Sequence, residues 1–146
     1  MPVADGSLGR QLQRSVRGAV SDGTRRRAEY SSDAGNYRVV PTVVVEPLDV
    51  DDVLATLEFS RATGTPITCR GGGTSIAGNA IGPGIVIDFA RHLNRVLEFD
   101  AGSRTALVEP GVVLSTLQAQ ARPHGLRFGP DPSSQDRATL GGMIGN

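Results

Sequence analysis

Apolar positions along this chain change period several times, and the changes mark out its elements. Leu8, Leu12, Val16 and then Ala19 or Val20 recur at helical spacing, with Arg10, Arg14 and Arg17 on the other faces. That pattern predicts an amphipathic helix laid against a domain. Ser21-Asp22-Gly23 ends it, the charged Thr24–Glu29 segment reads as a solvated connection, and residues 30–37 carry polar turn chemistry. Val39–Val45 is β-branched and apolar and is closed by Pro47, while Pro41 restricts that strand to an edge or strand-start position. Next comes the clearest helix. Asp49 is a candidate N-cap, Asp51 and Asp52 fall in the first turn where negative charge is favoured, and Val50, Val53, Leu54 and Leu57 form one apolar face. Gly64 supplies a C-terminal stop with Pro66 beyond it, and Ile67–Cys69 is a short strand. Strand, helix and strand make a βαβ unit, whose crossover should be right-handed.

Past Gly82-Pro83-Gly84, the run Ile85–Phe89 reads as a buried strand. Arg95–Asp100 and Arg104–Glu109 flank the turn Asp100-Ala101-Gly102-Ser103 as a hairpin. Val113, Leu114, Leu117 and Ala121 mark a second amphipathic helix ended by Pro123 and Gly125, and Leu126–Phe128 reads as a short strand. The predicted class is α+β: a βαβ unit followed by mixed strands, with helices packed on the sheets. The chain stops on Thr139-Leu140-Gly141-Gly142-Met143-Ile144-Gly145-Asn146. That ending has neither C-cap nor tail logic, as expected of a fragment.

Composition narrows the functional classes. The 146 residues fit one domain and can bury a core. The formal net charge is zero, and the 15 basic residues, all arginine, are spread along the chain among 15 acidic ones. A nucleic-acid footprint is therefore not expected. The arginine-only bias fits a GC-rich coding sequence. One cysteine, Cys69, permits no internal disulfide, and no metal site is expected. No apolar run approaches the ~18 residues needed to span a bilayer, and a cytoplasmic protein is the simpler expectation. The Arg-rich, acid-poor stretch from Gly6 to Ser21 superficially resembles a transit peptide, but the same pattern suits a surface helix, which is the reading preferred.

The candidate chemistry lies in Arg70-Gly71-Gly72-Gly73-Thr74-Ser75, directly after the second predicted strand. Glycine lets a backbone approach a ligand closely, successive N–H groups can cradle an anion, and two hydroxyls add donors. A phosphate cradle and a plain glycine-rich turn both fit these residues. Neither G-x-G-x-x-G nor G-K-[ST] is present, so the Rossmann and Walker arrangements are poor matches. Two later stretches repeat the theme: Gly129-Pro130-Asp131-Pro132-Ser133-Ser134, then Thr139 to Asn146.

Taken in order, these three stretches resemble the FAD-binding half of the glycolate oxidase and D-lactate dehydrogenase type flavoproteins, of the PCMH-type, vanillyl-alcohol oxidase fold. Tyr30-Ser31-Ser32-Asp33-Ala34 and the run from Pro41 to Pro47 look like that family's opening. The resemblance covers residues 28–146 and implies an FAD-binding domain there, incomplete at its C-terminal end; residues 1–27 stand before it as the N-terminal helix and connection. It implies that Gly71, Gly72, Gly73, Thr74 and Ser75 wrap the FAD pyrophosphate. Pro130, Asp131, Ser133 and Ser134 would lie on a second contacting loop, and Thr139, Gly141, Gly142 and Asn146 would follow along the cofactor. Arg70 either helps to neutralise the pyrophosphate or pins the loop through a carboxylate. Some relatives carry a histidine after the loop glycines that bonds covalently to the flavin. Thr74 stands there in this chain, so FAD is expected to be non-covalent. His92 and His124 are expected to be structural. The implied reaction is oxidation of a 2-hydroxy acid (D-lactate, glycolate or 2-hydroxyglutarate) by hydride transfer to flavin N5, with electrons passing to a separate acceptor. The implied location is cytoplasmic or peripheral to the inner membrane. The catalytic groups would lie in a cap beyond this chain. Rival readings are an FAD-dependent oxidase or ether-lipid synthase on the same fold, and a truncated non-catalytic domain.

Overall fold

In the computed structural model, residues 5–145 are described, with side chains from residue 8 onward. The elements run α1 (Asp5–Gln13), β1 (Ala19–Ser21), α2 (Thr24–Glu29), β2 (Val43–Glu46), α3 (Val50–Thr63), β3 (Ile67–Arg70), β4 (Ile85–Asp88), β5 (Val96–Asp100), β6 (Thr105–Val108), α4 (Leu114–Ala121) and α5 (Leu140–Gly145). A short 3₁₀ turn, Arg122–His124, follows α4.

The main sheet has the order β1-β2-β4-β3. β1 is antiparallel to β2, whereas β2 and β3 both lie parallel to β4. The expected β–α–β unit is therefore β2-α3-β3 with β4 inserted between its strands. Pro41 precedes β2, and β2 is an interior strand, so the proline marks a strand start and not an edge. Alternation along the strands separates two faces. Val43, Val45, Ile85 and Ile87 pack with Leu12 and Val16, and with Ala55 and Phe59 of α3. On the opposite face Val44 and Val86 pack with Tyr30. A second cluster joins the β5–β6 hairpin to α4 and α5 through Val112, Leu114, Leu117 and Leu140.

Four sequence expectations change. The first helix ends at Gln13, and Val16 and Val20 reach the same core from the turn and from β1, so apolar spacing continued past the helix. The Thr24–Glu29 connection is a helix, laced by Arg25–Glu29 and Arg26–Glu29 pairs at 3.1 and 2.9 Å and by an Arg26–Glu46 pair. On α3 Asp52 and Thr56 are buried and Ala55 and Phe59 pack half-buried against the core; of the expected apolar face Val53 and Leu57 are half-buried, while Val50 and Leu54 are exposed. Asp52 explains the difference. Its carboxylate accepts N–H groups from Arg17, Gly18 and Leu48 at 2.8, 2.9 and 2.9 Å, so a polar residue belongs inside. Finally, Leu126–Phe128 forms no strand. The Gln118 amide stands in for a strand partner, donating to Phe128 O at 2.9 Å and accepting from Phe128 N at 3.0 Å.

Candidate functional site

β3 and β4 are parallel neighbours, yet the connection between them contains no helix. Residues 71–84 cross over as irregular chain starting at the carboxyl end of β3, the end where open α/β sheets place ligands. Gly73 has φ +65° and Gly78 φ +82°, backbone that a side chain would strain. At Gly71 and Gly72 the constraint is proximity. A Cβ on Gly71 would overlap the Thr139 hydroxyl, and one on Gly72 would overlap the Arg137 backbone carbonyl.

The third motif reaches this loop through a pairing between 110–114 and 138–141. Leu114 N donates to Ala138 O at 3.0 Å, Leu140 N to Val112 O at 2.8 Å, and Gly141 N to Pro110 O at 2.9 Å. Val113 and Thr139 form an isolated antiparallel bridge. Gly141 lies against Pro110, where a Cβ would come within 2.7 Å of the proline ring.

Between these elements opens a cleft of about 790 Å³. Arg70, Gly71, Gly72, Gly73, Thr74, Ser75, Ser134, Thr139, Gly141 and Gly142 line it. Pro130, Asp131 and Ser133 are exposed and outside its lining, and Asp131 pairs with Arg127 at 3.5 Å. Asn146 lies outside the described residues. The apolar part of the lining includes Ile67, Ile81, Phe89 and Met143. Met143 belongs to the third glycine-containing stretch and Ile67 and Phe89 to predicted strands, but none of the four is among the site residues expected from the sequence.

The lining has donors to offer. The N–H groups of Gly71, Gly72, Gly73, Thr74 and Ser75 engage no acceptor among the described residues. Thr139 is only 3% exposed, and its hydroxyl also has no partner among the described residues. A buried polar group in that condition is costly unless a ligand or water satisfies it. The Ser75 oxygen accepts from Ala77 N and Asn79 N, both at 3.2 Å, which holds the loop's turn while its O–H remains able to donate.

Behind the loop lies a polar cluster on the Tyr30 face of the sheet. Arg70 Nη1 donates to Ser32 O at 2.9 Å and Ala80 O at 3.1 Å, and its guanidinium stands 5.1 Å from the Tyr30 ring centroid. Arg70 thus pins the loop, though through carbonyls and not through a carboxylate. The Tyr30 hydroxyl donates to Asp88 Oδ2. Burial, reinforced by the neighbouring Asp88 carboxylate, pushes the Tyr30 phenol up to about 12, so it remains a donor throughout the physiological range. Burial also raises the Cys69 thiol, which lines the cleft, above its ordinary value. His124 packs its ring against Phe99 at 5.4 Å, a structural contact.

Residues 41–146 match the FAD binding domain family. The chain is 41% identical over 131 residues to a D-2-hydroxyglutarate dehydrogenase from Pseudomonas putida, covering 88% of this chain and 13% of that protein. It is 35% identical over 126 residues to glycolate oxidase subunit GlcD from Bacillus subtilis, covering 84% of this chain and 27% of that protein. A D-lactate dehydrogenase from Archaeoglobus fulgidus is 40% identical over 104 residues, 70% of this chain and 23% of that protein. The chain therefore spans about an eighth to a quarter of the length of these relatives. Among solved structures, alkyldihydroxyacetonephosphate synthase superposes with a TM-score of 0.82 at 23% identity, over 98% of this chain and 29% of that one. A 4-ethylphenol oxidase from Gulosibacter chungangensis gives 0.75 at 21% identity, over 94% of this chain and 28% of that one. These two likenesses establish the fold as the PCMH type. The chain belongs to the FAD binding domain family.

Proposed function

We propose that this FAD-binding-family chain holds FAD non-covalently along the cleft, as the cofactor-binding part of an oxidoreductase acting on a 2-hydroxy acid. The observation that carries the proposal is the row of N–H groups from Gly71 to Ser75, in the cleft lining with the Thr139 hydroxyl, none of them with a partner among the described residues. Such a row suits a diphosphate, because amide dipoles converge on anionic oxygen without adding charge. Gly71 and Gly72 keep the wall thin where a Cβ would otherwise force it apart. Thr139, Gly141 and Gly142 continue the lining beyond that cradle, and Ser134 adds a hydroxyl from the second loop. The apolar residues Ile81, Phe89 and Met143 offer surface for the non-phosphate parts of the ligand.

Bound FAD would supply a two-electron acceptor for the hydrogen on the substrate's hydroxyl-bearing carbon. The part this chain plays is to bind and orient it. The 2-hydroxy-acid reading is supported by identities of 34–41% to relatives named for D-2-hydroxyglutarate, glycolate and D-lactate. The likenesses to other chemistries, at 21–23%, speak only for fold. A separate electron acceptor and a cytoplasmic location, at or away from the inner membrane, belong to the same proposal. Among the described residues no helix is long and apolar enough to cross a membrane.

The test is direct. Purified protein should show flavin absorbance, or gain thermal stability on addition of FAD, and denaturation should release all the flavin because Thr74 offers no covalent attachment. A colourless protein whose unfolding temperature ignores added FAD would falsify the assignment.

A further inference from the structure

Arg70 lines the cleft, and its hydrogen bonds tie it to the chain around the glycine loop. Both are made by Nη1 to backbone carbonyls, one in the polar segment after α2 and one at the far side of the glycine loop. The Nη2 end lies directly behind Gly73, where a Cβ would come within 2.5 Å of it. Tyr30 stands beneath the guanidinium, anchored by its own hydroxyl to Asp88. Arg70 and Asp88 are register partners on β3 and β4, yet no ion pair joins them among the described residues. Asp88 is taken instead by Tyr30 and by Ala90 N at 2.8 Å.

The segment after α2 adds its own contacts. Ala34 N donates to Gly73 O at 3.1 Å, Asp33 Oδ1 accepts from Gly35 N at 2.8 Å, and a Cβ on Gly35 would come within 2.6 Å of Ile76 O. Val39 N donates to Ser31 O at 2.9 Å, and Ser31 Oγ to Ala28 O at 2.7 Å, so the segment is itself tied down. The whole segment lies before residue 41, outside the stretch that matches the family.

We propose that Arg70 is a positioning residue, which with Tyr30 and residues 31–35 braces the glycine loop from behind in its ligand-ready shape and does not itself ligate the diphosphate. Arginine suits this role because its planar, weakly hydrated guanidinium can lie on an aromatic face while one nitrogen bonds both carbonyls, whereas the lysine ammonium is a compact, strongly hydrated point charge that does not stack. Without the brace, the partnerless N–H groups of Gly71–Ser75 would have to be ordered by the ligand, and that ordering would be subtracted from affinity.

The proposal rests on the reading of the cleft as an FAD site, and the experiment separates the two. FAD affinity is measured by titration for the parent, Tyr30→Leu, Arg70→Met, their combination and Arg70→Lys. Amide exchange of residues 71–76 is measured on the same proteins without ligand. Cooperative thermal unfolding checks that each variant folds, and Tyr30→Phe, which keeps the ring and removes the hydroxyl's bonds to Asp88 and Arg26, replaces Tyr30→Leu if that one does not. Each single change should weaken FAD by at least about tenfold, and the double by little more than the worse single, because both remove one brace. Arg70→Lys should behave like Arg70→Met, and loop amides should exchange faster in every variant. Multiplying losses in the double variant, parent-like affinity in Arg70→Lys, or unchanged loop exchange would each overturn the brace. A parent that binds no FAD overturns the flavin reading, and ligand-free exchange then still decides whether the brace exists.

Discussion

Gly71 and Gly72 sit side by side and are glycine for different neighbours. The first faces the Thr139 side chain and the second a backbone carbonyl, that of Arg137. A side chain can be removed and a backbone cannot. Gly71→Ala should therefore lose FAD affinity and recover part of it when combined with Thr139→Ala, as followed by flavin titration. Gly72→Ala should resist rescue and also lower stability by about 1–3 kcal/mol, since the two loops must separate to admit the methyl. Asp52 is the other residue on which much depends. Burial alone would raise its carboxyl, but the N–H donors of Leu48, Arg17 and Gly18 and the Arg17 charge outweigh that and hold it below the ordinary range. A depressed carboxylate contributes stability that is present above about pH 4 and lost as pH falls through its lowered folded value. Asp52→Asn should cost about 2 kcal/mol or more at neutral pH and flatten the acid limb of the stability curve, measured by denaturant unfolding from pH 7 to 2.

At the scale of elements, α3 separates capping from facing. Its ends are legible: Asp49 accepts from Asp52 N at 3.2 Å, and Gly64 closes the helix at φ +67°. Its buried side is not legible from apolar spacing, because Asp52 and Thr56 occupy it. Leu54→Gln should accordingly change the unfolding free energy by no more than about 0.5 kcal/mol, although the sequence places Leu54 in the apolar stripe. A large loss of stability in that variant would show the helix rotated from the face described. Beyond α4, the two bonds between the Gln118 amide and Phe128 do the job of a strand ladder. Gln118→Leu should cost about 1–3 kcal/mol by orphaning the Phe128 backbone groups, and should speed proteolysis within residues 126–134.

Across the whole molecule, the cleft exists because two packed clusters meet. One is built on the β1-β2-β4-β3 sheet, the other on the hairpin with α4 and α5. The bridge between residues 110–114 and 138–141 brings the Thr139–Gly142 stretch against a loop some seventy positions earlier in the chain. If the cradle reads the diphosphate, ADP should compete with FAD for the cleft and raise the unfolding temperature, whereas riboflavin, lacking the diphosphate, should do neither at equal concentration. A ligand at 100 times its Kd adds about 2.7 kcal/mol of apparent stability, enough for a thermal shift to register. Riboflavin matching ADP would place recognition elsewhere in the cleft.

Local chemistry was readable in the sequence wherever it is carried by the residues themselves. Turn glycines, the Asp49 cap, the β-branched strands and the run from Arg70 to Ser75 each announce their conformation through what a side chain or its absence permits. The order of the three glycine-containing stretches also made the family resemblance visible, and Thr74 decided the expectation of a non-covalent flavin. Tertiary structure decided what depends on pairings between distant residues. It inserted β4 between β2 and β3, turned α3 by its buried Asp52, tied the Thr24–Glu29 helix to β2 through Arg26 and Glu46, and set Arg70 against Tyr30 and two carbonyls. Arg70 shows the reason most simply. A guanidinium beside a glycine loop can face the ligand or the scaffold, and nothing in its neighbours along the chain distinguishes the two until residues 30–32 and 80 are brought around it.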